Sequence, residues 1–282
     1  VASGVLFGGP SPEHDISILT GLQALRELST TERDLRGIYW TKSGAYYLID
    51  SAVEAEAFLE GVPKGASELS LRLGDEGGFF AAGSRRSGAK RVDVDALILA
   101  THGGPGEDGT LQGALDLAGV CYSGPSVAGA ALGMDKWAFG TVMAQAGLPT
   151  LSRALLSAET TELDFEGPYI LKPRFGGSSI GIDVVADFDT ARARLGTNLH
   201  FANGCVVEPY REDLTDVQVA LRTYPALELS AIERPLRQSR GAEILNYRDK
   251  YVSGEGMVAA PRELPATLAP GQSEEVVRLA RA

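Results

Sequence analysis

Apolar positions along this chain switch between the short runs of buried strands and the wider spacing of helices. VLFGG (residues 5–9) is an apolar run closed by glycines. ISILTGLQALREL (16–28) then sets Ile16, Leu19, Leu22, Leu25 and Leu28 at steps of three, the stripe of a helix with one buried face. Ser11, Pro12 and Glu13 suit the start of that helix: serine can accept from free backbone N–H groups, proline fits the first helical position, and an acid is favoured by the helix dipole. The pattern predicts further strands over 36–40 and 46–49, with Lys42, Ser43 and Gly44 as the turn between them. A buried strand over 94–100 runs directly into THGGPGEDG (101–109). Loops at the carboxyl ends of strands in open α/β sheets are where ligands usually bind.

Residues 61–91 are rich in Gly, Ser and charge and read as a hairpin or long loop without chemistry. After YSGPS (122–126) the texture changes to VAGAALGMDKWAFGTVMAQAGLP, an Ala/Gly-rich helical tract closed by Gly147 and Pro149, which puts a boundary near 125. GPYILKP, IGIDVVAD and GCVVEPY are strand-like, and SEEVVRLARA (273–282) is a last helix. No internal repeat is apparent.

Composition narrows the class. With 282 residues, 44% hydrophobic and 22% charged, the chain can build two or three packed units. A net charge of −11 argues against broad attraction to nucleic acid or anionic lipid, so an anionic small ligand needs local cations. The two cysteines, Cys121 and Cys205, are far apart and suggest neither a disulfide framework nor a zinc site. With no secretory pattern at the start and no long apolar span, the expected setting is the cytoplasm.

Several short stretches carry candidate chemistry. PYILKPRFGGSSIG (168–181) leads an apolar strand through Lys172 into Gly176, Gly177, Ser178 and Ser179, whose backbone N–H groups and hydroxyls can cradle phosphate oxygens. A plain hairpin turn, with glycines serving positive φ, explains the same residues. Neither the GxxxxGK[ST] P-loop nor the GxGxxG dinucleotide fingerprint is present. Lys136 lies in GMDKWAF, on a helix with an apolar face, and by itself reads as a solvated lysine. GCVVEPYREDLTDVQV (204–219) offers Glu208, Glu212 and Asp213 as acceptors for an adenine amino group or ribose hydroxyls, or as ordinary edge-strand charges. NYRDKYVSGEG (246–256) holds Lys250 and Tyr251. THGGPGEDG contributes His102, Glu107 and Asp108, where the histidine is either catalytic or a hydrogen-bonding brace for its loop.

Taken in order, LFGGPSPEHDIS, THGGPGEDGTLQGALDLAGVCYSGPS, GMDKWAF, ILKPRFGGSSIG, VVEPY and DKY closely resemble the D-alanine:D-alanine ligases of the ATP-grasp superfamily, over nearly the whole chain. The resemblance implies an α/β protein of the ATP-grasp fold, α+β in its ATP-clamping part, with a Rossmann-like N-terminal domain. Residues 1–124 would take the first substrate, with 125–207 and 208–282 as the central and C-terminal ATP-grasp domains, the last incomplete. By motif, Glu13 would meet the ammonium of the first D-alanine and join Ser178 and Tyr251 in a hydrogen-bonded triad. His102 would lie near that substrate's carboxylate. Lys136, Lys172 and Lys250 would contact the phosphates of ATP, Ser179 the terminal phosphate, Glu208 the adenine end and Asp213 the ribose.

The chain departs from the family pattern at EPYREDLT, which is shorter than usual and lacks a glycine, with Pro209 where other members use lysine. The family's Mg²⁺ ligands and an oxyanion arginine come from R-x-D-F and E-x-N strands that follow the last helix, so the resemblance puts them beyond Ala282, as in a longer protein. The implied reaction forms an acyl phosphate from the first D-alanine and ATP, then a dipeptide for peptidoglycan synthesis. Tyr251 leans toward D-alanine as second substrate. A ligase for D-lactate, D-serine or a specialised-metabolite amine is the near alternative, and a non-catalytic ATP-binding homologue the distant one. The sequence itself does not show the quaternary state; dimers are common in this family, and a homodimer is the assembly the resemblance allows.

Overall fold

Strand β1 (Ser3–Gly8) and helix α1 (His14–Leu28) form where the apolar spacing predicts them. The computed structural model describes residues 2–31, 34–83, 88–236 and 261–282, and the chain divides into two compact units, Val1–Phe139 and Gly140–Ala282.

In the first unit α1 is followed by β2 (Leu35–Trp40), β3 (Tyr46–Ile49), β4 (Ser67–Arg72), β5 (Gly78–Ala81), β6 (Lys90–Arg91), β7 (Ala96–Leu99), α2 (Thr110–Leu117) and β8 (Cys121–Tyr122). They make one eight-stranded sheet of order β6-β5-β4-β3-β2-β1-β7-β8. Strands β2, β1, β7 and β8 are parallel, and β3 to β6 continue the sheet as antiparallel neighbours. The Gly-rich stretch 61–91 thus supplies three strands.

Val5 and Phe7 pack with Ile18, Leu22 and Leu25 of α1, whereas Leu6 packs on the opposite face with Leu97, Leu111 and Leu115. Burial on both faces is why β1 reads as an unbroken apolar run. Helix α1 approaches β1 closely because Gly21 leaves room: a Cβ there would lie 2.2 Å from the Phe7 ring. The chain leaves β1 through α1 to β2 on one side and returns to β7 on the other. The loops that follow β1 and β7 therefore flank the point where strand order reverses, the usual binding crevice of such sheets.

The predicted helical tract after 126 is two helices, α3 (Val127–Met134) and α4 (Lys136–Gln145). Asp135 separates them with an extended ψ of 96°, and its Oδ1 accepts from the backbone N–H groups of Trp137 and Ala138, both at 3.1 Å. An aspartate that caps the next helix breaks an otherwise continuous apolar tract.

The second unit holds β9 (Ala154–Leu156), β10 (Tyr169–Pro173), β11 (Asp183–Val185), α5 (Phe188–Leu195) and β12 (Cys205–Pro209). The sheet has the order β11-β10-β12-β9 and is antiparallel throughout. Leu156, Tyr169, Leu171, Cys205 and Val207 bury one face against Ala191 of α5 and Phe201. Two short ribbons follow, β13 (Leu221–Arg222) with β14 (Glu228–Leu229) and β15 (Arg234–Pro235) with β16 (Arg262–Glu263), before a last helix, α6 (Gln272–Arg281). No helix among the described residues is long and apolar enough to cross a membrane.

Candidate active site

The turn between β1 and α1 needs its glycines. Gly8 and Gly9 take φ of 94° and 98°, and Gly9 donates its N–H to the Trp40 carbonyl at 2.7 Å. Ser17 ties this turn to the neighbouring strand: its Oγ accepts from Gly8 N–H at 2.7 Å and donates to the Ala100 carbonyl at 2.8 Å. His14, also buried, sets Nδ1 2.7 Å from the Gly9 carbonyl and Nε2 3.1 Å from the Tyr39 hydroxyl. Burial holds its imidazole below the ordinary histidine pKa. The motif histidine and serine are thus braces of the turn that carries Glu13.

Glu13 is the N-cap residue of α1, two positions later than the Ser-Pro start expected from sequence, and Ser11 Oγ accepts from the Glu13 N–H at 3.1 Å. The Glu13 side chain is buried although the residue opens a helix at the sheet's switch point. Its carboxylate lies against Gly103 of the loop after β7, where a Cβ would come 2.2 Å from Oε2. Gly103 has φ of 64° and donates its N–H to Glu107 Oε2. The glycine is therefore required twice, for its backbone conformation and for the approach of Glu13. His102, next to it, is held to α1 by a 2.8 Å contact between Nε2 and Thr20 Oγ1. Thr101 Oγ1 and Gln112 Nε2 both donate to the Gly106 carbonyl, so the loop is fixed from two sides. Glu13 and His102, 89 positions apart, belong to one loop pair. Lys136 is the first residue of α4 and half-buried, an unfavourable place for a cation at a helix N-terminus.

In the second unit, Lys172 and Glu208 stand on the sheet face opposite the core, with Ile170, Val206 and Leu155. Lys172 Nζ is 2.5 Å from Glu208 Oε2, and Arg153 Nη2 is 3.3 Å from Glu208 Oε1. Continuing the β9–β12 register by one residue sets Arg153 directly across from Glu208. The sequence reading missed Arg153, although it lies two positions before Leu155, the spacing that returns to the same strand face.

Strand β10 then enters the GGSS loop, where Ser178 and Ser179 both adopt positive φ, 51° and 58°. L-residues avoid this region, at a cost of roughly 1–2 kcal/mol each. The turn they form is closed by the Ile180 N–H, which donates to the Gly177 carbonyl at 3.1 Å. Asp213 is exposed and paired with Arg211, which donates through Nε and Nη2 at 2.8 and 2.6 Å. Lys250 and Tyr251 lie outside the described residues.

The chain matches the family models for the D-ala D-ala ligase N-terminus over residues 2–125 and the D-ala D-ala ligase C-terminus over residues 130–281. A D-alanine–D-alanine ligase from Campylobacter concisus is 31% identical over 252 residues, 89% of this chain and 69% of the relative. One from Nocardia farcinica is 31% identical over 287 residues, 97% of this chain and 79% of the relative. Among solved structures, the D-alanine-D-alanine ligase of Helicobacter pylori superposes with a TM-score of 0.75 at 23% identity, covering 100% of this chain and 81% of that one. The VanG D-Ala:D-Ser ligase of Enterococcus faecalis gives 0.78 at 22%, covering 99% and 80%. This chain belongs to the D-alanine–D-alanine ligase family, and its α/β architecture is the ATP-grasp fold.

Proposed function

We propose that this protein joins two molecules of D-alanine in an ATP-dependent reaction, supplying a dipeptide for peptidoglycan synthesis in the cytoplasm. The observation that carries this reading is the buried carboxylate of Glu13, seated against Gly103 at the switch point of an open sheet. A carboxylate held at a ligand crevice is suited to a cationic group, and the ammonium of an amino acid makes a charge-assisted hydrogen bond to it. His102, held by Thr20, serves the carboxylate end of the same substrate. Residues 1–124 act as the amino-acid domain, and 125–207 with 208–282 as the two parts of the nucleotide clamp.

ATP is read onto the open face of the four-stranded sheet. Leu155 and Ile170, both half-buried, offer apolar surface to a base, with Glu208 as acceptor for its amino group and Asp213 as acceptor for ribose. Lys136, Lys172 and Lys250 neutralise phosphate, and the strained Ser178–Ser179 turn holds the terminal phosphoryl group. Ser178 and Tyr251 complete a triad with Glu13. A carboxylate oxygen of the first D-alanine attacks the γ-phosphorus, the bond to the bridging oxygen breaks, and ADP leaves. The amine of the second D-alanine attacks the acyl phosphate carbonyl. The tetrahedral intermediate expels phosphate and loses the amine proton. Positioning and charge stabilisation supply most of the catalysis in such a transfer. Magnesium enters through the family alone: among the described residues no group of three His, Cys, Asp or Glu could hold a metal ion.

Incubation of the full-length protein with ATP, Mg²⁺ and D-alanine, D-serine or D-lactate, with ADP and product mass measured, tests the reaction. ADP release that depends on D-alanine, with a product of dipeptide mass, is expected; release only with another acceptor overturns the substrate assignment. Glu13→Gln should raise the concentration of D-alanine needed while ATP affinity stays nearly unchanged. Equal loss of both would remove Glu13 from the amino-acid site.

A further inference from the structure

Glu208 has two cationic partners, one on each oxygen, and they are not equivalent. The Lys172 ammonium, 2.5 Å from Oε2, ends a flexible stem, and its side chain is 26% exposed. Arg153 is 17% exposed, and the Glu208 side chain between them only 6%. The guanidinium lies against the backbone of α4 at Gly140, where a Cβ would come 1.7 Å from Nη1. A planar fork wedged into a helix notch is held in place, whereas a lysine head can turn to a new anion. A lysine that leaves Glu208 for phosphate would strand a buried carboxylate unless another cation stays behind, and an unpaired buried charge is strongly unfavourable.

We propose that Arg153 is a positioning residue for nucleotide binding: it remains on Glu208, keeping the carboxylate paired and oriented, so that Lys172 can exchange that carboxylate for phosphate. This rests on the reading of the open sheet face as the ATP site. It also gives Gly140 a purpose, as the gap in α4 that admits the guanidinium.

The test measures ATP dissociation constants and KM values for ATP and D-alanine in the full-length protein, with thermal melts to verify folding. Arg153→Met should weaken ATP binding by about tenfold or more, equivalent to about 1.4 kcal/mol, and raise KM for ATP but not for D-alanine. Arg153→Lys, which keeps the charge, should recover part of the loss. Gly140→Ala leaves every charged group intact yet displaces the guanidinium, and should weaken ATP binding in the same direction. In a Glu208→Gln background there is no carboxylate to compensate, so adding Arg153→Met should cost less than about threefold, the signature of a coupled pair. Unchanged ATP affinity in both Arg153→Met and Gly140→Ala, or an equal loss with and without the Glu208 charge, would overturn the proposal. A wild-type protein that binds ATP but releases no ADP with D-alanine would overturn the ligase reading while the ATP affinities still decide the role of Arg153. Absence of ATP binding would overturn both.

Discussion

Strands β1 and β10 are both short apolar segments that run into glycine-bearing loops, yet they serve their loops in different ways. Val5, Leu6 and Phe7 in β1 are all fully buried, because α1 covers one face of the sheet and α2 the other. In β10 burial alternates: Tyr169 and Leu171 face the core, and Ile170 and Lys172 the open side. The first strand is scaffold, and its chemistry begins where it ends. The second carries candidate chemistry on its own face. The devices at their ends differ accordingly. Glu13 is set by packing, through Gly103 and the Ser17 and His14 contacts. Glu208 is set by charge, through Lys172 and Arg153, and the adjoining Ser178–Ser179 turn is strained. A packed device is ready before its ligand arrives; a charged one is made to exchange partners.

Alanine substitution along the two strands separates them most sharply. Leu6→Ala and Phe7→Ala, on opposite faces of β1, should each destabilise by about 2–5 kcal/mol, since each empties a packed core. In β10 only one register should behave so: Leu171→Ala costs a similar amount, whereas Ile170→Ala costs below about 1 kcal/mol and weakens ATP binding instead. Chemical denaturation measures the first effect and nucleotide titration the second. Equal destabilisation at positions 170 and 171 would mean that Ile170 packs as tightly as Leu171 and that the contrast is false.

A smaller effect tests the packed device. Gly103→Ala brings a methyl group onto the Glu13 carboxylate and forces alanine to φ of 64°. Steady-state kinetics should show the D-alanine requirement rising by about tenfold, roughly 1.4 kcal/mol, with ATP affinity unaltered. A variant with ordinary D-alanine kinetics would show that Glu13 need not be where Gly103 puts it.

The smallest effect concerns pH. Burial lowers the His14 pKa in the folded protein from its ordinary value of 6.5, more than the Gly9 carbonyl and Asp15 raise it, while Lys42 adds to the lowering. The unfolded chain therefore takes up the proton first as pH falls. Stability from this residue is complete above about pH 6.5 and declines below it, down to the folded pKa. Denaturation midpoints of the wild type should decrease between about pH 7 and pH 5, and His14→Gln should flatten that slope. An unchanged slope would remove His14 as a titrating brace.

Much of the fold could be read from local pattern. The apolar run of β1, the three-residue steps of α1 and the switch to alternation in YILKP each depend on which neighbours lie above and below a single element. The two GG loops and the lysine that precedes GGSS were visible for the same reason. The break at Asp135 was not read from the apolar spacing, because a cap acts through one side-chain oxygen and leaves that spacing intact. The strands within 61–91 were hidden by glycine and charge, since they lie toward one end of the sheet and several of their residues face solvent.

What the sequence determined by itself was the set of elements and the chemical groups at their ends, because helix stripes, strand runs and glycine turns are consequences of neighbours a few residues apart. Only the tertiary structure decided that Gly103 receives Glu13 across 90 positions of chain and that Arg153, from a strand's margin, stands opposite Glu208. Those meetings depend on sheet order and register, which are settled when distant segments pack together, and no local pattern encodes them.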